Sequence, residues 1–305
     1  MNMKKRVLIT GSNGLLGQKL VQLLSQESEI DLIATARGAN RLPASSDYQY
    51  VSLDITQESE VNQVFDAYKP HMLIHTAAMT NVDTCETDPE GCELLNVTAV
   101  SYLIRASEKY DTFFCHLSTD FIFDGKNGPY AEDAIANPIS IYGESKLKAE
   151  QLIQASSLRW AMARTVLVYG IVGDMSRTNI ILWVKKSLEE GKTINVVTDQ
   201  FRTPTLAEDL AIGCWLITKT QTEGIFNISG SDFLTPYEMA IKTAEYYGLD
   251  QSLIQKADSS TFQQAAKRPM RTGFILDKAY QTLGYKPRTF DQGIAIMAEQ
   301  VKNLS

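Results

Sequence analysis

A strand that runs directly into a glycine turn and then into a helix leaves a chain few architectures to adopt. Arg6 to Ile9 is a short apolar strand, Thr10-Gly11-Ser12-Asn13-Gly14-Leu15-Leu16-Gly17 is the turn, and Leu16, Leu20, Leu23 and Leu24 give the next segment one apolar helical face. Glycines let the backbone approach a pyrophosphate closely. The helix N-terminus adds free N–H groups and a partial positive charge. The spacing is Gly-x-x-Gly-x-x-Gly, a slight departure from Gly-x-Gly-x-x-Gly. In this setting Gly11, Ser12, Asn13, Gly14, Leu15, Leu16 and Gly17 are expected to form a dinucleotide site, rather than an ordinary strand-to-helix connection.

The rest of the chain repeats the alternation. Further strands are predicted at Asp31–Ala36, Tyr48–Leu53, His71–His75, Thr112–Leu117, Trp160–Arg164 and Gly224–Ile228, with another extended stretch at Val166–Gly170. Helices are predicted at Gln57–Tyr68, from Pro89 to about Lys109, and around Tyr142, with Pro89 suiting a first turn. This pattern implies an α/β fold, a Rossmann-type doubly wound parallel sheet. Right-handed crossovers would bring the ends of the first, fourth and fifth strands together, at the rim where open parallel sheets bind ligands. Beyond Gly170 the alternation loosens into helices at Asn179–Glu190, Pro236–Gly248, Asp277–Leu283 and Phe290–Lys302, a strand at Ile194–Val197, and a helix capped by Thr205 with Glu208.

Residues at that rim suggest a division of labour. A carboxylate normally follows the second strand to hold the ribose of NAD. Here the position is Arg37, with Arg41 beyond it. A guanidinium there pairs with a 2′-phosphate, so NADP(H) is expected over NAD(H), with NAD as the alternative cofactor. Asp54 and Ile55 would flank the adenine, or Asp54 would merely cap a helix. Ala77 and Ala78 are small enough for a flat ligand to approach the fourth strand, or serve tight packing. Asn96 would bond the backbone of the active-site strand, or only pack. Ser118, Thr119 and Asp120 end the fifth strand, where a hydroxyl could donate to a substrate carbonyl or satisfy its own backbone. His71 and His75 lie on a strand, about 13 Å apart, which argues against a metal site.

Tyr142 and Lys146 are four residues apart in a helical segment and leave the same face. An ammonium beside a phenol favours the phenolate and draws its pKa toward the working pH, so this tyrosine could exchange a proton with a carbonyl oxygen. Chance alone supplies roughly one such spacing in a chain of this composition, so the pair gains meaning only from its surroundings. Arg268 could contact a phosphate or be a surface cation. The loop Phe121–Pro138 is long enough to be functional or mobile.

The 305 residues are long for one domain. A net charge of -7 argues against nucleic acid or an anionic membrane as partner, and no apolar run approaches the ~18 residues of a membrane span. Four scattered cysteines without Cys-x-x-Cys suggest reduced thiols in a cytoplasmic protein.

Thr10-Gly11-x-x-Gly14-x-x-Gly17, Asp54-Ile55, His75-Thr76-Ala77-Ala78, Asn96, Ser118-Thr119-Asp120 and Tyr142-x-x-x-Lys146, in this order, resemble the extended short-chain dehydrogenase/reductase family. Within it, Ser118 to Gly125, Tyr142 to Lys146, Asp199-Gln200 with Pro204-Thr205, and Arg268-Pro269 look most like the dTDP-4-dehydrorhamnose reductases. The resemblance implies a catalytic set of Thr119, Tyr142 and Lys146. Tyr142 would donate the proton, Lys146 would bind the nicotinamide ribose, and Thr119 would polarise the keto group of a nucleotide-linked deoxy sugar. It also implies a nucleotide-binding unit of 1–168 with about 206–228, and a discontinuous substrate unit of 169–205 with 229–305. Ser118, Asp120, Phe121, Leu167, Asn179, Arg202 and Arg268 are expected around the sugar nucleotide, and a homodimer is one assembly to expect. Two positions depart from the reductase pattern. Phe121 stands where tyrosine is usual, and Val166-Leu167 where Ser-Trp is usual. A dehydratase or epimerase is the nearest alternative, but sugar dehydratases place Glu where this chain has Phe121. A non-catalytic relative, the regulatory subunit of methionine adenosyltransferase, is the other.

Overall fold

The computed structural model describes residues 4–173, 179–262 and 264–304. Its first half alternates as expected. Strand β1 (Lys5–Thr10) leads through the glycine turn into α1 (Leu15–Leu24), then come β2 (Ile30–Ala36), β3 (Gln49–Ser52), α2 (Glu58–Tyr68) and β4 (Met72–His75). Short helices α3 (Val82–Thr87) and α4 (Pro89–Glu93) follow, then α5 (Ala99–Lys109), β5 (Phe113–Thr119), α6 (Ile141–Gln154) and β6 (Trp160–Thr165). The predicted single helix from Pro89 is therefore interrupted. A π-helical turn, Leu94–Thr98, joins α4 to α5, and its extra residue per turn swings Asn96 inward.

The central sheet is seven-stranded and parallel, in the order β10-β6-β5-β4-β1-β2-β3, where β10 is Gly224–Asn227. Both faces are covered, which is why the strands are continuous apolar runs. Val7 and Ile9 of β1 point into one core with Leu20 and Leu24 of α1, while Leu8 points into the other with Phe65, Leu103 and Ile153. Each fully buried leucine or isoleucine there contributes about 2 kcal/mol of transfer free energy. The ends of β1, β4 and β5 lie side by side, as the crossover rule requires.

The later elements are β7 (Val168–Tyr169), α7 (Ile180–Glu189), β8 (Ile194–Val197), β9 (Thr205–Leu206), α8 (Ala207–Thr220), α9 (Pro236–Tyr247), β11 (Ile254–Ala257), α10 (Asp277–Leu283) and α11 (Phe290–Leu304). Helix α8 packs beside α1 on the central sheet, whereas α7, α9 and α11 enclose separate apolar clusters with the β8–β11 pair. Two expectations are corrected here. Only Val168–Tyr169 of the Val166–Gly170 stretch is a strand, and it pairs with β9 outside the main sheet. Thr205 does not cap α8. Leu206 holds the N-cap, and the Thr205 hydroxyl donates to the Val166 carbonyl at 2.6 Å. The Phe121–Pro138 segment is packed rather than loose, with Phe123 stacked on Tyr130 at 4.1 Å between ring centroids. Among the described residues no helix is long and apolar enough to cross a membrane.

Candidate active site

A cleft of about 640 Å³ opens at the carboxyl ends of β1, β4 and β5. Its floor is the glycine turn. Gly11 holds φ +73°, and a Cβ there would lie 2.8 Å from the Ala77 amide nitrogen. At Gly17 a Cβ would sit 2.2 Å from the Gly11 carbonyl oxygen, so only glycine lets α1 start this close to β1. Gly11, Gly14, Leu15, Leu16 and Gly17 all line the cleft, and the first amides of α1 have no partner within their helix. The result is a backbone cradle with a positive end, suited to phosphates. Ser12 and Asn13 do not line it. Ser12 is fully buried with its hydroxyl unpartnered. Asn13 ties the next loop in place, donating to the Ala39 carbonyl at 2.9 Å and accepting from the Arg41 amide at 2.9 Å.

At the β2 end, Arg37 lines the cleft with its guanidinium largely in solvent, 4.0 Å from the Asp54 carboxylate. Asp54 also accepts from the Thr56 amide and hydroxyl, so it orders its own turn while bordering the cleft beside Ile55. Ala77 and Ala78 form the β4 wall. Asn96 stands behind it. Its side chain accepts from the Met79 amide at 2.8 Å, and donates to the Met79 carbonyl at 3.1 Å and the Ser145 hydroxyl at 3.0 Å. It braces the loop after β4 and does not itself line the cleft.

The opposite end of the cleft is built by β5 and α6. Ser140 caps α6 by accepting from the Gly143 amide, which starts the helix where Tyr142 and Lys146 both face the cleft. Thr119 ends β5, its hydroxyl donating to Asp120 at 3.2 Å and accepting from the Phe121 amide at 3.2 Å. Ser118 lines the cleft with its hydroxyl unpartnered. Phe121 packs edge-on against Tyr142, with centroids 5.7 Å apart. Burial pushes the Tyr142 phenol above its ordinary pKa, a bond from Thr119 opposing the shift. The direction is opposite to that expected from a neighbouring ammonium. Lys146 instead donates to the Leu117 carbonyl at 2.7 Å, with His116 Nε2 at 3.1 Å from its Nζ. Burial lowers Lys146 to about 8, with the Glu150 carboxylate opposing the shift.

The residues expected around a sugar divide. Ser118, Asp120, Phe121, Leu167 and Arg268 line the cleft. Leu167 does so in a left-handed conformation, φ +36°, which is costly for a side chain of this size and marks the edge of the site. Arg268 reaches across to Asp83, Nη2 to Oδ2 at 2.7 Å. Asn179 and Arg202 lie elsewhere. Asn179 caps α7, accepting from the Ile181 and Leu182 amides, and borders a separate shallow depression with Trp183 and Phe262. Arg202 is buried, its guanidinium spent on the carbonyls of Phe201, Pro269 and Met270. Sequence reasoning did not single out Thr80, Leu95, Thr165 or Leu210, which line the cleft, or His116 beneath Lys146. The lining residues are apolar or small and carry no chemical signature. Only the parallel register of β4 and β5 would point to His116.

Among the described residues no cluster of three metal-ligating side chains occurs. His75 instead bonds Thr10 at 2.7 Å inside the sheet.

Residues 4–303 match the family described as RmlD substrate binding domain. Methionine adenosyltransferase 2 subunit beta of Xenopus tropicalis is 31% identical over 253 residues, which is 81% of this chain and 74% of that protein. A probable low-salt glycan biosynthesis reductase of Haloferax volcanii is 30% identical over 291 residues, 95% of this chain and 96% of that protein. The structure of dTDP-4-dehydrorhamnose reductase from Bacillus anthracis in complex with NADP superposes with a TM-score of 0.85 at 27% identity, covering 98% of this chain and 100% of that one. With a match that runs through nearly all of its length, the chain belongs to the RmlD substrate-binding domain family.

Proposed function

We propose that the protein is an NADPH-dependent reductase of a 4-keto group on a nucleotide-linked deoxy sugar. The observation that carries this reading is a buried phenol, Tyr142, lining the same cleft as a glycine cradle suited to phosphates. The cradle suits a dinucleotide because Gly11 and Gly17, where an added Cβ would collide with backbone, hold the start of α1 tight against β1, with its free amides at the cleft floor. The glycine turn would hold the pyrophosphate, Asp54 and Ile55 would flank the adenine, and Arg37 would pair with the 2′-phosphate that distinguishes NADP from NAD. Bound NADPH supplies the hydride.

The chain's own residues supply the proton and its control. Tyr142 stays neutral at physiological pH and donates its hydroxyl proton to the oxygen of the reduced carbonyl. Thr119, whose one hydroxyl hydrogen points to Asp120 in the free site, would turn it to the same oxygen when substrate is bound. Lys146 presents its charge to the nicotinamide ribose. Ser118, Phe121, Leu167 and Arg268 border the space left for the sugar nucleotide, and Arg268, paired with Asp83 in the free site, would meet its phosphates. We read residues 1–168 with about 206–228 as the nucleotide unit, and 169–205 with 229–305 as the substrate unit. Buried cysteines without a disulfide suit a cytoplasmic setting.

Similarity to methionine adenosyltransferase 2 subunit beta supports a second reading, a non-catalytic NADP-binding regulatory subunit. Incubation with NADPH and a panel of 4-keto sugar nucleotides separates the two. Steady loss of absorbance at 340 nm with one of them is expected, and tight NADPH binding without turnover on any would favour the regulatory subunit.

A further inference from the structure

One buried row of the sheet carries polar side chains that the proposed reaction does not use. Parallel register sets Thr10, His75 and His116 side by side on β1, β4 and β5. Thr10 Oγ1 lies 2.7 Å from His75 Nδ1, the His75 and His116 ring centroids are 5.3 Å apart, and His116 Nε2 is 3.1 Å from Lys146 Nζ. All four side chains are buried. Leu117, the next residue of β5, turns its carbonyl to the same ammonium at 2.7 Å. Two of the three ammonium hydrogens are thereby fixed from beneath, and the tetrahedral geometry leaves the third for the cleft that Lys146 lines.

The imidazole makes a sacrifice that identifies its task. A neutral ring that accepts at Nε2 carries its proton on Nδ1. That atom is buried and has no partner. An orphaned N–H inside a protein is unfavourable, and here a charge-assisted bond to the ammonium on the other nitrogen offsets it. We propose that His116 is a positioning residue for Lys146, a neutral acceptor that clamps the ammonium beneath the cleft so that one N–H is presented to the ligand. The inference deepens the reductase reading by naming what holds its lysine.

The groups facing Lys146 are Tyr142 and Glu150 on its own helix, Cys92 on α4, His116 on β5 and His75 on β4. Glu150 favours its charge and burial opposes it. Both imidazoles are kept neutral by burial and by the ammonium itself. Removing the acceptor therefore favours the uncharged amine.

The direct test follows the Lys146 Nζ titration by NMR of lysine-labelled protein, the signal assigned by its loss in Lys146→Met. In His116→Phe the midpoint is expected to fall by about one pH unit, a tenfold change in the ammonium equilibrium. His116→Asn, whose amide is too short to reach Nζ, is expected to shift likewise and serves if the Phe variant does not fold. His116→Gln, which returns an acceptor near the Nε2 position, is expected to stay within about 0.3 unit of wild type. An unchanged midpoint in Phe or Asn, or a Gln variant shifted as far as they are, overturns the proposal. Wild-type turnover and NADPH affinity are measured alongside. Binding without turnover would remove the reductase reading and leave the lysine titration to decide the clamp, whereas turnover with unshifted midpoints would remove the clamp alone.

Discussion

Burial moves Tyr142 and Lys146 in opposite directions along the pH scale, and both shifts suit a reduction. The phenol, pushed up, remains a proton donor across the physiological range, while the amine, lowered to about 8, titrates just above it. If the ammonium is needed in the site, kcat/KM is level near neutrality and declines as pH rises through about 8; a pH–rate profile flat to pH 10 would contradict this role. The linked effect on stability has the other sign. The unfolded lysine holds its proton up to its ordinary pKa of 10.5 and the folded one loses it near 8, so stability rises with pH between the two. The cofactor preference proposed for Arg37 is tested at the same scale. Replacement of Arg37 by alanine is expected to raise the KM for NADPH about tenfold and to leave that for NADH nearly unchanged, because only the first carries a 2′-phosphate for the guanidinium. An unaltered ratio of the two constants would assign Arg37 to solvent alone.

The elements that hold these groups depend on details of very different legibility. Apolar triplets such as Val7-Leu8-Ile9 and the glycine turn are local signals, and the sheet order follows from them with the handedness of the crossovers. Tyr142 and Lys146 share a face because helical spacing is also local. The π-helical turn at Leu94–Thr98 leaves no such trace, since it differs from an α-helix only in which carbonyl each amide selects. Thr205 with Glu208 matches a capping pattern, yet tertiary packing claims the hydroxyl for Val166. Asn179 and Arg202 are chemically suited to a sugar site, but one caps a helix and the other binds three backbone carbonyls. Charge alone does not tell a ligand contact from a buried brace. Asn96 is such a brace, and Asn96→Ala strands the Met79 amide and carbonyl. We expect it to cost about 2 kcal/mol of stability in urea unfolding, with the far-ultraviolet spectrum of the native state retained. A loss within experimental error would show that the π turn positions nothing.

Across the whole molecule, the reactive rim is fastened to the later segments by a buried cluster. Asp120, next to Thr119 at the cleft, accepts from the Thr272 hydroxyl and lies 3.9 Å from Arg202. Burial raises the Asp120 pKa, with Arg202 opposing the shift. Arg202→Ala removes the cation beside that buried carboxylate, which keeps its bonds from Thr119 and Thr272, and takes the side-chain donor from the Pro269 carbonyl, and about 3 kcal/mol of stability should be lost. Thermal unfolding at neutral pH measures it, and a variant as stable as wild type would mean that Asp120 is satisfied by Thr272 alone. The cleft that this fastening frames is the centre of the account, and Tyr142→Phe tests it most directly, with NADPH consumption on a 4-keto sugar nucleotide and NADPH binding measured on the same preparation. Removal of one hydroxyl is predicted to lower kcat by about a hundredfold to ten-thousandfold while binding stays within about twofold of wild type. Turnover by the phenylalanine variant close to the wild-type rate would contradict the role given to Tyr142.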